Sequence, residues 1–253
     1  MSKITLNLSG QTACVTGSAT GIGRATALAL AEAGAKVALN HYHQPELARQ
    51  LEDEIRENGG IAFSVDTNVA IAAEVTHLFD EIKMQFGTLD ILVNNAGVLL
   101  EKPFLESTEA DWDRVMAVDL KSVFLCSRAA LALMVPRGSG CVINIASELA
   151  ALGREQFGVY CAAKSGVIGL TKSLAREFAP AIRINAITPG PTDTAMLSLD
   201  QISPGWRAKE LAIPAARVGT PEEIAATVVF LANKHAPFFY GQTLSPNGGV
   251  WMA

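Results

Sequence analysis

Short apolar runs alternate along the chain with longer segments in which apolar residues recur at helical spacing. The short runs are predicted as strands, because a few apolar residues between turn signals suit a buried strand. The predicted strands are, in chain order, Thr12–Thr16, Lys36–Asn40, Ile61–Val65, Leu89–Val93, Cys141–Ala146 and Ile182–Ile187, and a last strand with a turn is predicted within Gly241–Trp251.

The intervening segments are predicted as helices, and several of them end at glycine or proline. They are Arg24–Gly34, Pro45–Asn58, Ile71–Phe86, Thr108–Met134, Gly158–Ala179 and Pro221–Leu231. Strands that alternate with helices indicate an α/β fold, with a parallel sheet covered by helices and right-handed crossovers. The segment Thr192–Pro214 is rich in small residues, and we predict an irregular or loosely helical flap over a site.

Composition narrows the class of protein. The chain has 253 residues, 49% of them hydrophobic, with a net charge of −5. No linker or repeat divides it, so one domain is predicted over residues 1–253. The mild acidity argues against nucleic acid or an anionic membrane as partner. No apolar run is long enough to span a membrane, and the first residues lack a signal-peptide pattern, so we expect a cytoplasmic protein with reduced cysteines.

A glycine-rich turn joins the first predicted strand to the first predicted helix. Gly17 permits a tight turn, and Gly21 and Gly23 let backbone N–H groups approach an anion at the helix N-terminus. This strand–turn–helix context is typical of a site for a dinucleotide pyrophosphate. A purely structural turn is the alternative.

The end of the second predicted strand bears on the choice of cofactor. Folds of this kind often carry an acid there to bind the adenosine ribose hydroxyls. Here the residues are Asn40, His41, Tyr42 and His43, with no acid. Because a carboxylate would repel a 2′-phosphate, its absence favours NADP, and His41 could donate to that phosphate. The histidines could equally be solvated, and NAD stays open.

A hydroxyl, a phenol and an amine follow in one stretch. Tyr160 and Lys164 are four residues apart on a predicted helix, so both side chains lie on one face. An ammonium beside a phenol should lower the pKa of Tyr160, which suits proton exchange with a substrate oxygen. Ser147 follows a predicted strand and could donate to a carbonyl oxygen. A Tyr-x-x-x-Lys pair alone also arises by chance.

Taken together and in order, these motifs resemble the single-domain, nicotinamide-dependent branch of the short-chain dehydrogenase/reductase family. The resemblance rests on Thr16–Gly23, Asn94–Gly97, Ser147, the Tyr160/Lys164 pair and Pro189–Gly190, and it covers nearly the whole chain. It implies a Rossmann-type, doubly wound, mainly parallel seven-stranded sheet with helices on both faces. It also implies homotetramers, formed through the two long helices and the C-terminal region.

The resemblance implies a role for each motif. Tyr160 would be the general acid or base, Lys164 would tune it and bind the nicotinamide ribose, and Ser147 would polarise the substrate oxygen. Asn94 would support the sheet beside the cofactor, and Asp66 would contact adenine. The implied cofactor contacts are Gly17, Ser18, Thr20, Gly21, Ile22, Gly23, His41, Asp66, Asn94, Ala96, Gly97, Tyr160, Lys164, Pro189, Gly190, Thr192 and Thr194.

One position departs from the pattern of the family. An asparagine that helps to hold a water in the proton relay is usual in the long helix, and this chain has Asp119 instead. Asp119 can serve if the relay uses the backbone carbonyl. If the side chain matters, a carboxylate near Lys164 should shift the pH optimum. A purely structural, helix-kinking residue is the alternative.

These features predict an oxidoreductase that moves a hydride between NAD(P)H and a carbonyl/alcohol pair, with no metal. Within the family, the segment Arg217–Ala225 and the Asn247–Gly249 tail look most like 3-oxoacyl-[acyl-carrier-protein] reductases, although basic residues for an acidic carrier are scattered. A sugar, polyol or general ketone substrate is the alternative, and a non-catalytic nucleotide-binding protein is a second. The expected substrate contacts are Leu99, Leu149, Arg154, Gln156 and the flap.

Overall fold

A seven-stranded parallel sheet forms the centre of the molecule, in a computed structural model that describes residues 6–197 and 203–252. The strands are β1 (Thr12–Val15), β2 (Lys36–His41), β3 (Ile61–Asp66), β4 (Ile91–Asn94), β5 (Gly140–Ile145), β6 (Ile182–Ile187) and β7 (Thr243–Leu244). Their order is β3-β2-β1-β4-β5-β6-β7. Every neighbouring pair is parallel. The doubly wound, seven-stranded prediction is confirmed.

Helices cover both faces of the sheet, which explains why the central strands are apolar on both sides. They are α1 (Gly21–Glu32), α2 (Pro45–Glu57), α3 (Ala72–Phe86), α4 (Glu109–Met116), α5 (Ser122–Met134), α6 (Leu149–Leu152), α7 (Gly158–Phe178), α8 (Pro204–Leu211) and α9 (Pro221–Ala232). Residues of α1, α2 and α9 share one buried cluster with the sheet, and residues of α3, α5 and α7 share another.

The order of the strands reverses between β1 and β4, and this brings two loops together. Thr16 Oγ1 accepts the backbone N–H groups of Asn95 and Ala96 at 2.9 and 3.0 Å. Asn95 Nδ2 in turn donates to the carbonyl oxygens of Thr16 and Gly17. In a doubly wound sheet such a switch point opens a crevice at the carboxyl ends of the strands, where ligands bind.

The long predicted helix Thr108–Met134 is interrupted in a way that the sequence did not show. It begins with a capping box between Thr108 and Asp111, and runs as α4 to Met116. A π-helical turn, Ala117–Lys121, then precedes α5. Such turns are frequent at functional sites, because the extra residue moves one side chain out of the helical register.

Three other elements differ from the prediction. The final strand β7 has only two residues, and α6 is a short helix that the apolar pattern does not distinguish. The predicted flap contains an ordered helix, α8, whose N-cap Ser203 accepts the N–H of Trp206. Residues 198–202 of the flap, and the N-terminal residues 1–5, lie outside the described residues.

Three general expectations concern membrane spans, cysteines and metal sites, and each can be compared with the described part of the chain. None of its helices is long and apolar enough to cross a bilayer. Its four cysteines are all free, and three of them are buried. Among residues 6–197 and 203–252, no group of three or more acidic, histidine or cysteine side chains is arranged to bind a metal.

Candidate active site

A cavity of about 720 Å³ opens at the carboxyl ends of β1, β4, β5 and β6. Its size is that of a site for a small molecule with its cofactor. It brings together most of the residues that the sequence singles out. They are Gly17, Thr20, Gly21, Ile22, Gly23, Ala96, Gly97, Asp119, Ser147, Tyr160, Lys164, Pro189, Gly190, Thr192 and Thr194.

The glycine-rich turn forms one end of the cavity, and steric constraints explain why glycine occupies three of its positions. Gly17 and Gly21 have φ angles of 60° and 52°, a region that side-chain-bearing residues rarely adopt. A Cβ at Gly23 would collide with the carbonyl oxygen of Gly17 and would lie 2.5 Å from Asn95 Nδ2. With the N-terminus of α1 directly behind it, this cradle fits the pyrophosphate of a dinucleotide.

Gly23→Ala should therefore disrupt the cradle, because the added methyl group meets the backbone rather than a side chain that can move. We expect NADPH to bind at least about tenfold more weakly, measured by fluorescence titration. The matched control is Gly169→Ala in the exposed part of α7, where nothing lies within 4 Å of the new methyl group. Equal NADPH affinity in the two variants would contradict the steric argument.

At the end of β2, two predicted contacts lie outside the cavity lining. His41 is only 4% exposed, and its Nδ1 lies 3.8 Å from Asp66 Oδ1 and accepts the N–H of Gln44. The Asp66 carboxylate also accepts the N–H of His43 at 2.9 Å. His41 and Asp66 thus lie beside each other and hydrogen-bond to their own loop, and neither side chain is among the described residues that face the cavity.

The residues that do face the cavity at this end are neutral. Tyr42, Gln44 and Asn68 line it beside Asn40. Asn40 connects three segments, since its Oδ1 accepts the N–H of Gly17 and its Nδ2 donates to the carbonyl oxygen and hydroxyl of Thr67. Asn40 therefore fixes the end of β2 against the glycine-rich turn, while β2 itself ends at His41.

Ser18 and Asn94 are also placed behind the cavity rather than in its lining. The hydroxyl of Ser18 donates to the carbonyl oxygen of Asn40 at 3.0 Å. Asn94 Nδ2 donates to Ser127 Oγ and to Asn144 Oδ1, at 3.0 and 2.8 Å. Asn94 therefore connects β4 to β5 and α5, as expected for a residue that supports the sheet.

The phenol, amine and hydroxyl converge at the opposite end of the cavity from the cradle. Tyr160 and Lys164 lie on the same face of α7, and Lys164 Nζ is 5.7 Å from the centre of the Tyr160 ring. Lys164 also donates to the carbonyl oxygen of Ile145 at 3.2 Å. Ser147 follows β5, and both its hydroxyl and the Tyr160 phenol line the cavity.

The expected direction of one pKa shift is wrong. Burial raises the pKa of Tyr160 above its ordinary value, and this outweighs the lowering by Lys164. The negative charges of Asp119 and Glu148 raise it further. Removal from water disfavours the phenolate more than the nearby ammonium favours it, so the phenol stays protonated at neutral pH.

Asp119 lies on the π-helical turn and is fully buried. Its Oδ2 is 3.3 Å from Lys164 Nζ, and its Oδ1 accepts the N–H of Val98 at 2.9 Å. Although burial lowers the pKa of Lys164, the negative charge of Asp119 and its hydrogen bond oppose this, and the pKa of Lys164 is raised overall. Lys164 is therefore kept as an ammonium, and Asp119 fixes its position.

The substrate side of the cavity holds charged residues that the sequence did not connect. Arg154 Nη1 lies 2.6 Å from Glu210 Oε1, and its guanidinium carbon is 5.7 and 5.4 Å from the rings of Phe157 and Trp206. Glu148 lines the cavity nearby, and burial raises the pKa of its carboxyl to about 7.

Of the individual residues expected to contact substrate, Leu99, Leu149 and Arg154 line the cavity. Trp206 and Glu210 line it as well; they belong to the predicted flap, but the sequence did not single them out. The signal was available, because Ser203 and Pro204 mark the start of a helix that carries both residues. Gln156 is not among the described residues that line the cavity; its backbone carbonyl accepts the N–H of Lys102 instead.

Comparison with known proteins agrees with this geometry. A family model described as enoyl-(acyl carrier protein) reductase matches residues 17–251. The 3-oxoacyl-[acyl-carrier-protein] reductase FabG of Staphylococcus aureus is 42% identical over 244 residues, which are 96% of this chain and 98% of that protein. The corresponding reductase of Synechocystis is 41% identical over 247 residues, 97% and 98% of the two chains. The chain belongs to the short-chain dehydrogenase/reductase family.

Solved structures of this family share the architecture. A provisionally named gluconate dehydrogenase from Agrobacterium tumefaciens superposes with a TM-score of 0.93 at 38% identity, covering 97% of this chain and 98% of that one. A provisionally named NAD(P)-dependent gluconate 5-dehydrogenase from Beutenbergia cavernae, with NADP bound at low occupancy, gives 0.90 at 35%, covering 97% and 98%. As a family member with this site, the chain is an NAD(P)-dependent oxidoreductase.

Proposed function

We propose that the protein reduces a ketone to a secondary alcohol with NADPH, in a reaction of the 3-oxoacyl reductase type. The observation that carries the proposal is the convergence of Ser147, Tyr160 and Lys164 in one cavity with the glycine cradle. The two reductases described above, at 42% and 41% identity, support a 3-oxoacyl substrate.

The protein's own groups provide the proton and the polarisation. A bound nicotinamide cofactor supplies the hydride. Because its pKa is raised, Tyr160 is a protonated phenol and can donate to the oxygen on which negative charge develops. The adjacent Lys164 ammonium stabilises the phenolate that results, and the Ser147 hydroxyl donates to the same substrate oxygen. Asp119 is proposed to act in this relay by holding Lys164.

We propose NADP rather than NAD, because the described residues that line the cavity around β2 are Asn40, Tyr42 and Gln44, with Thr67–Val69 beside them. None of these carries a carboxylate that would repel a 2′-phosphate. His41 is proposed to act indirectly, since it is buried against Asp66 and shapes the loop that presents Tyr42.

Tyr42→Asp should reverse this preference. Tyr42 is half exposed at the cavity. A carboxylate there would repel a 2′-phosphate, whereas it could accept a hydrogen bond from a ribose hydroxyl. We expect the ratio of kcat/KM for NADPH to that for NADH to fall by about tenfold. Tyr42→Phe is the control and should leave the ratio near that of the wild type. An unchanged ratio in Tyr42→Asp would place the 2′-phosphate elsewhere.

The proposed activity is tested by initial rates with NADPH and NADH on a short panel of carbonyl compounds. The panel contains an acetoacetyl thioester and an activated α-keto ester, with sugars and diols assayed in the oxidative direction. Reduction of the thioester with NADPH would support the proposal. Activity confined to polyols would move the protein to the alternative below, and clear nucleotide binding without any turnover would favour a non-catalytic role.

A sugar- or polyol-type substrate is the second candidate, and the polar wall of the cavity favours it. Glu148, Arg154 and Glu210 all line the space next to Ser147. Such groups can bind several hydroxyl groups, whereas an acyl chain gains nothing from them. The two provisionally named gluconate dehydrogenases among the solved structures point the same way.

We also propose a single cytoplasmic domain, since strands from both ends of the chain share one sheet, and a homotetramer. An apolar groove between α5 and α7, lined by Phe124, Leu131, Val135 and Phe178, supports an interface between copies on the long helices. Multi-angle light scattering of the purified protein tests the assembly, and a monomeric mass would contradict it.

A further inference from the structure

Ser147 has only one proton to donate, and in the structure that proton is directed at a neighbouring side chain. Its Oγ donates to Glu148 Oε2 at 3.0 Å. The same Oγ accepts the backbone N–H of Leu149 at 3.2 Å. A serine hydroxyl has one donor and two acceptor positions, so its donor is occupied by Glu148. The Tyr160 phenol also hydrogen-bonds to Ser147. In the proposed reaction the phenol donates to the substrate oxygen instead, and one acceptor position of Ser147 is then open.

The backbone fixes Glu148 in this place. Its N–H donates to the carbonyl oxygen of Pro189 at 3.2 Å, and the residue forms the N-cap of α6. The side chain is buried, with 6% of the residue exposed, and it lines the cavity beside Ser147. The carboxyl group is therefore held next to Ser147 rather than in bulk solvent.

The protonation state of Glu148 decides what Ser147 can do. When the carboxyl is ionised, it can only accept, and it competes with the substrate oxygen for the serine proton. When it is protonated, it can donate to the open acceptor position of Ser147 Oγ. The serine hydroxyl then points its proton at the substrate, with all three of its hydrogen-bonding positions used.

We propose that Glu148 is a positioning residue that gates the Ser147 hydroxyl: protonated Glu148 donates to Ser147 and leaves the serine free to polarise the substrate oxygen, whereas ionised Glu148 withdraws it. The inference rests on the proposed function, in which Ser147 donates to that oxygen. No proton is transferred to the substrate by Glu148 itself, so the balance of the hydride and proton steps is unchanged.

The groups that face Glu148 place the switch in a physiological range. Burial raises the pKa of Glu148 to about 7, although the hydrogen bond from Ser147 and the charge of Arg154 lower it. Glu210 of α8 raises it. From α7, Tyr160 and Cys161 feel the charge of Glu148, and burial raises the pKa of both, so both are neutral near pH 7. Next to Tyr160, Lys164 Nζ and Asp119 Oδ2 lie 3.3 Å apart; burial raises the pKa of Asp119, and the Lys164 ammonium opposes this rise.

The rate of ketone reduction should depend on pH, because only protonated Glu148 frees the Ser147 hydroxyl. Ketone reduction should be fast below about pH 7, where Glu148 is protonated, and should fall as the pH rises through that value. The loss should level off at about tenfold to hundredfold in kcat/KM, the usual size of one hydrogen bond to a charged group. Tyr160 does not produce this decline, because its raised pKa keeps it protonated there.

The test is the pH profile of ketone reduction in Glu148→Gln, with the carbonyl compound that the wild type reduces best in the panel above. The amide can donate to Ser147 at every pH, so the decline near pH 7 should disappear and the rate should stay near the acid plateau. Glu155→Gln is the matched control, since Glu155 is exposed and paired with Lys209 outside the cavity lining. It should keep the wild-type decline, and a decline that persists in Glu148→Gln overturns the proposal.

A second measurement does not depend on turnover. The carboxylic acid band of Glu148 can be followed by infrared difference spectroscopy across pH, with Glu148→Gln to assign it. Because the hydrogen bond from Ser147 stabilises the carboxylate, Ser147→Ala should shift this titration to higher pH. If the panel shows no reduction, the proposed function fails, and this shift still decides the coupling. An unchanged titration in Ser147→Ala overturns the gate.

Discussion

Tyr160→Phe is expected to lower kcat for ketone reduction by about 10²–10⁴-fold, the contribution of a positioned general acid. The substitution removes only the hydroxyl group. The aromatic ring that remains packs among Leu149 and Phe157. Because that surrounding is apolar, phenylalanine should fill the space without disturbing α7. NADPH affinity, measured by fluorescence titration, should change little.

The control removes a phenol hydroxyl from a different place. Tyr240 donates its hydroxyl to the carbonyl oxygen of Pro180 at 3.0 Å, in an exposed region away from the cavity. Tyr240→Phe should retain full activity. If Tyr160→Phe kept the wild-type kcat, the phenol would have no part in the mechanism.

The second large effect is expected at Asp119, and it concerns stability first. Asp119→Ala removes the partner of the Lys164 ammonium and leaves the N–H of Val98 without its acceptor. Breaking a buried ion pair from one side costs about 3–5 kcal/mol, because the remaining charge stays buried. We expect the free energy of unfolding, measured by urea denaturation, to fall by that amount.

Asp119→Asn separates the charge from the hydrogen bond. Its amide oxygen can still accept the N–H of Val98, so the loss should be only about 1.5–3 kcal/mol. The carboxylate raises the pKa of Tyr160, and alcohol oxidation needs the phenolate. The oxidative pH profile of Asp119→Asn should therefore shift to lower pH. Equal stability losses in the two variants, or a profile identical to the wild type, would contradict this account of Asp119.

The local sequence was sufficient to predict the strands of the central sheet. The apolar runs predicted each strand within one or two residues at its ends, apart from β7, because strands covered on both faces have no polar side to obscure them. The structure also places the glycine-rich turn and the Tyr160/Lys164 pair where the sequence predicted them, because both depend on contacts close in sequence or on a single helix. Ser147 could be predicted from its position directly after a strand.

Properties that depend on three-dimensional surroundings were not accessible in this way. The pKa of Tyr160 moves upward because burial outweighs one nearby ammonium, and burial cannot be read from a spacing of four residues. His41 proved to be buried because β2 is covered on both faces up to its last residue. The pairing of Arg154 with Glu210 joins residues that lie far apart in the chain.

In the proposed reaction, the cavity directs a hydride to a ketone carbon while Tyr160 protonates the oxygen. The most direct measurement uses NADPH that carries deuterium at the transferable position of the nicotinamide, with the acetoacetyl thioester as substrate. We expect mass spectrometry to find the deuterium on the carbinol carbon of the product with the wild type, and almost no labelled product with Tyr160→Phe. Product without the label, or labelled product at equal rates from both proteins, would contradict it.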